Sequence, residues 1–176
     1  MFVRTERLLL RPGWPEDAAA LAGAIAREAI VLNLASAPWP YETNDAEAYL
    51  GRARGEGEVD FLIFARTMGA PRLIGGIGLA RDGDDLELGY WIVPSHWGLG
   101  FATEAGRAVI ETARDTLRLE RLVAGHFVDN PASGRVLHKL GFAPSGEVYP
   151  RVSRARGTSV PCRRFVLNLQ ALALAA

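Results

Sequence analysis

Residues 89–104 read GYWIVPSHWGLGFATE, an apolar strand-like run that leads through two closely spaced glycines into the start of a helix. Gly98 and Gly100 lack a Cβ atom, so their amides can approach an anion closely and adopt backbone angles that other residues avoid. The first amides of the helix have no partner within it and lie at the positive end of its dipole. The segment therefore predicts a turn that binds a phosphate or a diphosphate.

The two glycines alone do not determine the ligand of this turn. An ordinary strand–helix connection without a ligand fits the spacing equally well. A P-loop ends in Gly-Lys-Ser or Gly-Lys-Thr, and no lysine is near. A dinucleotide fingerprint needs Gly or Ala where Thr103 stands, and it follows the first strand of a βαβ unit rather than an antiparallel meander. Nucleoside triphosphates and dinucleotides are therefore disfavoured as ligands.

The rest of the chain gives the elements around this turn. Apolar runs bounded by turn residues predict strands at 3–10, 60–67, 72–80, 86–93, 122–127, 143–152 and 162–169. Helical spacing predicts helices after Pro15, at 44–50, at 100–117 and from 130 to 141. This order indicates an α/β protein with a mixed sheet on which the helices pack. A length of 176 residues favours one domain, residues 1–176.

Composition excludes several classes of protein. Twenty basic and twenty acidic residues give a formal net charge of zero, so nucleic acid is an unlikely partner. Cys162 is the single cysteine, which excludes an intrachain disulfide and a cysteine-built zinc site. His96, His126 and His138 do not have metal-ligand spacing, so no metal is expected. No stretch approaches the length of a membrane span, and we expect a cytoplasmic protein that does not bind membranes.

Residues 97–105 (WGLGFATEA) resemble the acetyl-CoA pyrophosphate loop of the GNAT superfamily of N-acetyltransferases, and are most similar to its RimJ/RimL-like branch. Further segments resemble that branch in the same order: TERLLLR at 5–11, PWPY at 38–41, LELGYWI at 86–92, NPAS at 130–133 and HKLGF at 138–142. The resemblance covers nearly the whole chain. It implies a GNAT fold, with one mixed, mostly antiparallel central sheet and helices on both faces.

The resemblance also implies a cofactor site and an acceptor site. It places acetyl-CoA against Ile92, Val93, Trp97, Gly98, Leu99, Gly100, Phe101, Ala102, Thr103, Asn130 and Ser133. The amides around Ile92 and Val93 are the best candidates to bind the carbonyl oxygen of the thioester. The residues that fall where the family shapes its acceptor site are Trp39, Tyr41, Trp91 and the region 32–37. An exposed Trp39 also suits a homodimer contact.

Two residues are candidates for the chemistry. Glu87 shares a strand face with Trp91, at the acyl end of the implied groove, and a carboxylate there can accept the amine proton through water. The alternative is a solvated acid beside the acidic turn 82–85. Ser133 lies where the branch has a proposed acid near the thioester sulfur. The alternative is a helix N-terminal serine bonded to its own backbone; Asn130 is likewise a pantetheine ligand, a helix cap or both.

The sequence departs from the family at two places. Leu137 stands where many members have a tyrosine acid, and residues 160–165 lack an acid that many relatives carry. Five arginines (151, 154, 156, 163 and 164) lie in a C-terminal stretch without acids. They suit a CoA 3′-phosphate, an acidic acceptor, ribosomal RNA or a solvated surface.

The predicted function is direct transfer of an acetyl group from acetyl-CoA to a primary amine, since no cysteine is placed to carry the group. The resemblance favours the N-terminal α-amine of a protein as acceptor. The alternatives are a small amine (an amino acid, a polyamine or an antibiotic) and a non-catalytic acyl-CoA-binding module, which the missing tyrosine favours.

Overall fold

Across residues 1–67 and 69–170, which the computed structural model describes, eight strands form one mixed sheet in the order β1-β2-β3-β4-β5-β6-β8-β7. The strands are β1 (Val3–Arg4), β2 (Leu8–Arg11), β3 (Val59–Ala65), β4 (Arg72–Asp82), β5 (Asp85–Ile92), β6 (Arg121–Phe127), β7 (Ala143–Ser153) and β8 (Thr158–Asn168). The helices are α1 (Ala18–Ile25), α2 (Glu28–Val31), α3 (Thr43–Gly51), α4 (Phe101–Glu111) and α5 (Pro131–Lys139). Met68 and residues 171–176 of the predicted domain lie outside the described residues.

The helices cover both faces of the sheet. Successive residues of β3 pack in two different apolar clusters, because neighbouring side chains of a strand point to opposite faces of the sheet. Phe61 and Ile63 belong to the cluster that includes α4 and α5, whereas Leu62 packs in the second cluster with α1, α2 and α3. All neighbouring strands are antiparallel except β5 and β6. The α/β class and the mixed, mostly antiparallel sheet are therefore confirmed.

The chain between Thr5 and Leu8 makes a turn, so the strand predicted at 3–10 is two short antiparallel strands, β1 and β2. The amide of Thr5 donates to the carbonyl of Leu8 at 3.0 Å, and the Thr5 hydroxyl accepts from the amide of Leu8 at 3.0 Å. The prediction of one continuous strand was wrong because this side-chain bond competes with extended pairing.

The helix predicted at 100–117 is α-helical over Phe101–Glu111 and continues as a π-helical turn, Thr112–Thr116. Its apolar stripe packs on the sheet and on α5. Gly106 permits the close approach of α5, because a Cβ atom there would lie 2.6 Å from Leu140 Cδ1. None of the described helices is long and apolar enough to cross a bilayer.

The parallel pair β5 and β6 opens the sheet. Their pairing is limited to Glu87 with Val123 and Leu88 with Ala124, while β6 stays paired with β8 from Arg121 to Phe127. Beyond Leu88 the two strands separate, so backbone groups of β5 face open space rather than a partner strand. This separation, just before the glycine turn, positions the site.

Candidate active site

A cleft of about 550 Å³ lies where β5 and β6 separate. The glycine turn and the first residues of α4 and α5 line one part of it, and α2 with the following loop lines another. Most of the predicted site residues meet there: Glu87, Trp91, Ile92, Trp97, Gly98, Gly100, Phe101, Ala102, Thr103, Asn130 and Ser133. Val93, Leu99, Trp39 and Tyr41 are not among the residues that line it.

The glycine turn has the backbone conformation that its sequence predicts. Gly98 has φ +74° and Gly100 has φ +83°, both in the left-handed region that favours glycine. Gly100 is the N-cap of α4, and no side chain caps the first amides of this helix. The indole Nε1 of Trp97 donates to the carbonyl of Ile92 at 2.5 Å and ties the turn to the end of β5. The uncapped amides, together with two residues that lack Cβ, fit a diphosphate.

Only one of the two amides predicted to bind the thioester oxygen faces the cleft. The amide of Val93 donates to the carbonyl of Ile74 at 2.8 Å and is therefore used within the sheet. Successive backbone groups of a strand alternate between its two edges, so the amide of Ile92 points to the edge where β6 has separated. Binding of acetyl-CoA by the predicted cofactor residues, Val93 and Leu99 included, stays a prediction.

Glu87 forms an ion pair with Arg151 of β7. Both carboxylate oxygens accept from the guanidinium, with Arg151 Nη2 at 2.5 Å from Glu87 Oε2, and the Glu87 side chain is 13% exposed. Arg151 also donates to the hydroxyl of Tyr149 at 3.3 Å. The bond to Glu87 raises the pKa of Arg151 above its ordinary value. Glu87 is therefore not a solvated acid of the neighbouring turn; Asp82 and Asp85 of that turn have their own arginine partners.

Ser133 lies against Tyr90 of β5. The Tyr90 hydroxyl is 2.8 Å from Ser133 Oγ and donates to the Ser133 carbonyl at 3.1 Å. Burial raises the pKa of Tyr90 to about 12, so the phenol stays protonated at neutral pH. Asn130 is the N-cap of α5 and accepts from the amide of Ser133 at 3.4 Å. The predicted cap is confirmed for Asn130, while the Ser133 hydroxyl is bonded to Tyr90.

Cys162 also lines the cleft, although it is distant from the glycine turn in sequence. Its side chain is 1% exposed, and this burial raises the pKa of the thiol. Gly125 of β6 makes room for it, because a Cβ atom there would lie 2.9 Å from Cys162 Sγ and 3.4 Å from Glu87 Oε1. A buried thiol with a raised pKa is a poor nucleophile.

A further part of the cleft wall comes from α2, which was not predicted, and from the loop after it, which falls in the acceptor region 32–37 that the resemblance implies. Its lining residues are Ala29, Ile30, Asn33, Leu34 and Ala35. Tyr41 is buried in the cluster of α1 to α3, and Trp39 is 42% exposed outside the cleft. A role of Trp39 and Tyr41 in acceptor binding stays a prediction.

The tip of the β7–β8 hairpin holds this wall. The amide of Arg154 donates to the carbonyl of Ala35, and Arg156 Nε donates to the carbonyl of Leu32, both at 2.8 Å. Arg156 also pairs with Asp129 at 2.6 Å. Three of the five C-terminal arginines (151, 156 and 164) are thus in ion pairs with Glu87, Asp129 and Asp82. The sequence could not show these pairs, since each acid lies on a distant segment.

Comparison with known families identifies the class of protein that has this fold and cleft. Residues 7–143 match the family described as "Acetyltransferase (GNAT) domain". The chain therefore belongs to the GNAT acetyltransferase family, whose members use acetyl-CoA.

Individual relatives are similar over part of the chain. The uncharacterized N-acetyltransferase YoaA of Bacillus subtilis is 44% identical over 77 residues, 42% of this chain and 44% of that protein. The ribosomal-protein-serine acetyltransferase of Escherichia coli is 38% identical over 60 residues, 34% of each chain. These matches span about half the length of the curated relatives, or less.

Solved structures share the fold over nearly the whole chain. A GNAT-family acetyltransferase from Bacillus anthracis superimposes with a TM-score of 0.81 at 20% identity, covering 97% of this chain and 99% of that one. The ribosomal L7/L12 α-N-protein acetyltransferase RimL, solved with coenzyme A, gives 0.79 at 18% identity with the same coverage. At these identities the likeness establishes the fold.

Proposed function

We propose that this protein is an acetyl-CoA-dependent N-acetyltransferase that transfers the acetyl group directly to the α-amine of a protein N-terminus. The observation that carries the proposal is one continuous cleft. It has uncapped helix amides and the turn Gly98–Gly100 in one part, and a paired carboxylate, Glu87, in another. Such a cleft can hold a diphosphate-bearing thioester and an amine side by side, and this proximity supplies much of the rate.

Three groups on the chain have roles in the transfer. The amide of Ile92 donates to the thioester carbonyl oxygen and stabilises the charge that develops there. Glu87 accepts a proton from the ammonium of the acceptor through water, which leaves a neutral amine to attack. Ser133 donates a hydrogen bond to the leaving sulfur. The carbon–nitrogen bond forms and the carbon–sulfur bond breaks; the attacking nitrogen loses one proton and the leaving thiolate gains one, so the products are an amide and the CoA thiol.

The ion pair with Arg151 does not prevent Glu87 from acting. A carboxylate offers about four acceptor positions, and the two bonds from Arg151 occupy two of them. The remaining positions are available to a water molecule. Arg151 thus fixes the orientation of the carboxylate.

The charges in the cleft favour an acceptor with a single amine. Among the described residues that line the cleft, Glu87 is the one carboxylate, and its charge is matched by Arg151. Arg135 and Lys139 on α5 add further positive charge. A polyamine carries several cations that need several carboxylates, so its binding is unfavourable here. The similarity to the ribosomal-protein-serine acetyltransferase and to RimL also supports a protein acceptor.

The test is acetyl-CoA turnover across a panel of amines. Release of the CoA thiol is followed with peptides of different N-terminal residues, free amino acids, spermidine and an aminoglycoside. We expect turnover with peptides and none above background with spermidine. Turnover with a small amine alone would replace the protein acceptor by that amine.

The non-catalytic alternative has two features in its favour: Leu137 has no acid group, and the Glu87 carboxylate is held by Arg151. Calorimetric binding of CoA without thiol release on any amine of the panel would establish this alternative. A homodimer and a cytoplasmic location stay predictions.

Ser133→Ala is expected to slow transfer while CoA affinity stays nearly unchanged. Loss of one hydrogen bond to a developing thiolate is expected to lower kcat about tenfold. Tyr90→Phe removes the partner of Ser133 and leaves the serine hydroxyl in place, so a smaller loss is expected. Wild-type turnover by Ser133→Ala would leave Ser133 without a role in the reaction.

Cys162→Ala is expected to keep kcat/KM within about threefold of wild type, because direct transfer needs no acyl-cysteine. The raised pKa of the thiol also predicts slow alkylation by iodoacetamide at neutral pH, with a rate that increases only at more alkaline pH than for a free cysteine. Loss of activity in Cys162→Ala, or an acetylated Cys162 in mass spectra of the enzyme with acetyl-CoA, would contradict direct transfer.

A further inference from the structure

The turn between β1 and β2, at Thr5 to Leu8, contacts the first turn of α4, although the two segments are far apart in sequence. The carboxylate of Glu104 accepts three hydrogen bonds: from the Thr5 hydroxyl at 2.5 Å, the Arg7 amide at 2.9 Å and Arg7 Nε at 2.7 Å. The Glu104 carboxylate therefore holds the Thr5 hydroxyl and two N–H groups of Arg7, and it fixes the β1–β2 turn to α4. Thr5, Arg7 and Glu104 are not among the residues that line the cleft.

Arg7 extends from this cluster to the glycine turn. Its Nη1 donates to the carbonyl of Leu99 at 3.0 Å, and its guanidinium lies 4.3 Å from the ring centre of Phe101. Its Nη2 is 3.5 Å from the position that a Cβ atom would take on Gly100. One side chain thus contacts three consecutive residues at the junction of turn and helix.

The bond to Leu99 determines where the next amide points. The carbonyl of Leu99 and the amide of Gly100 belong to one peptide plane, and in a trans peptide they point in opposite directions. Arg7 holds the Leu99 carbonyl on the side away from the cleft, so the Gly100 amide is directed toward the cleft. In agreement, Gly100 lines the cleft and Leu99 does not.

The turn has few other contacts that could fix this orientation. Leu99 is 56% exposed, and a Cβ atom on Gly98 would meet nothing within 4 Å. Glycine has the largest backbone freedom to lose on ordering. Without an external contact, the amides of the turn would have to be ordered at the expense of binding energy.

We propose that Arg7, held by Glu104 and Thr5, is a positioning residue that orients the Gly100 amide for the diphosphate of acetyl-CoA. This inference rests on the proposed function. Glu104 keeps its charge in the cluster: burial raises its pKa, and the bonds from Thr5 and Arg7 outweigh that effect and lower the pKa below its ordinary value.

The test compares Arg7→Met with Arg11→Met, a matched control from the same N-terminal segment. Arg11 also forms a two-bond ion pair, with Asp17, and stacks on Trp14, but it does not contact the turn. We expect Arg7→Met to weaken CoA binding about tenfold by calorimetry, and Arg11→Met to change it by less than about twofold. In the proton–nitrogen-15 correlation spectrum of the wild type, we expect CoA to shift the Gly100 amide proton downfield. In Arg7→Met, we expect this shift to be absent.

Glu104→Gln distinguishes a role of Glu104 in holding Arg7 from a simple repulsion between Glu104 and the CoA anion. If Glu104 only repelled the anion, its neutralisation would tighten CoA binding; if it holds Arg7 in place, binding weakens, by about threefold. Should Arg7→Met fail to fold, Arg7→Lys gives the same comparison, because a lysine keeps the charge but lacks the planar fork with which Arg7 reaches Glu104 and Leu99 from separate nitrogens.

The outcomes are distinct. If the wild type binds CoA, three results would each overturn the positioning role alone. They are equal CoA affinities of Arg7→Met and Arg11→Met, a Gly100 amide resonance that CoA shifts in Arg7→Met as in the wild type, and tighter CoA binding by Glu104→Gln. Absence of CoA binding by the wild type would overturn both this role and the proposed function.

Discussion

Gly100→Val is expected to weaken CoA binding by about a hundredfold or more. Gly100 has φ +83°, a conformation that a β-branched residue adopts only with strain. The residue lines the cleft as the N-cap of α4, so a valine that restores an ordinary φ must rotate the amides that face the diphosphate. Calorimetric titration with CoA measures the loss, and kcat/KM for acetyl-CoA should fall in proportion.

Gly146→Val is the matched control for this strain. Gly146 has φ +87° on β7, a Cβ atom there would meet nothing within 4 Å, and it does not line the cleft. This variant carries the same kind of backbone strain and should lose stability while it keeps CoA affinity. If Gly100→Val binds CoA as tightly as Gly146→Val, the turn is not the diphosphate site.

Glu87→Gln is expected to lower kcat/KM about a hundredfold, the usual effect of losing a general base. The loss should be largest at low pH, where the acceptor is an ammonium that needs the base, and should shrink at high pH, where the amine is already neutral. Arg151 then loses its charged partner in a half-buried site, so a lower melting temperature is also expected. Initial rates across pH, measured below the melting transition, provide the test.

Asp85→Asn is the control for Glu87→Gln. Asp85 is on the same strand and also accepts two bonds from an arginine, Arg121, but this pair lies outside the cleft. Its removal should leave the pH profile unchanged. A Glu87→Gln profile that coincides with that of Asp85→Asn would exclude Glu87 as the base and restrict it to anchoring Arg151.

Most of the fold could be predicted from the sequence because its signals are local. The meander, the long helix and the glycine turn each follow from the period of apolar residues and from glycine within about twenty residues. The helix predicted at 44–50 is confirmed as Thr43–Gly51, and the strand predicted at 122–127 as Arg121–Phe127. The strand predicted at 3–10 was wrong because a side-chain bond of Thr5 bends the chain there.

The chemistry of the site was harder to predict from the sequence than the fold. Glu87 and Ser133 were identified through resemblance, but their partners were not. Arg151 is 64 residues from Glu87, and Tyr90 is 43 residues from Ser133. Tyrosine on an apolar strand is most often a core residue, and nothing in the local sequence around Tyr90 distinguishes it from one.

The sequence by itself determined the conformation of the glycine turn, because glycine permits the positive φ of Gly98 and Gly100, and the first amides of a helix have no partners within it. Only the tertiary structure decided which groups lie around this turn. The separation of β5 and β6 after two paired residues depends on how the whole sheet is registered. The same register brings Arg151 to Glu87 and exposes the amide of Ile92 rather than that of Val93. These contacts are made between segments that no local pattern relates.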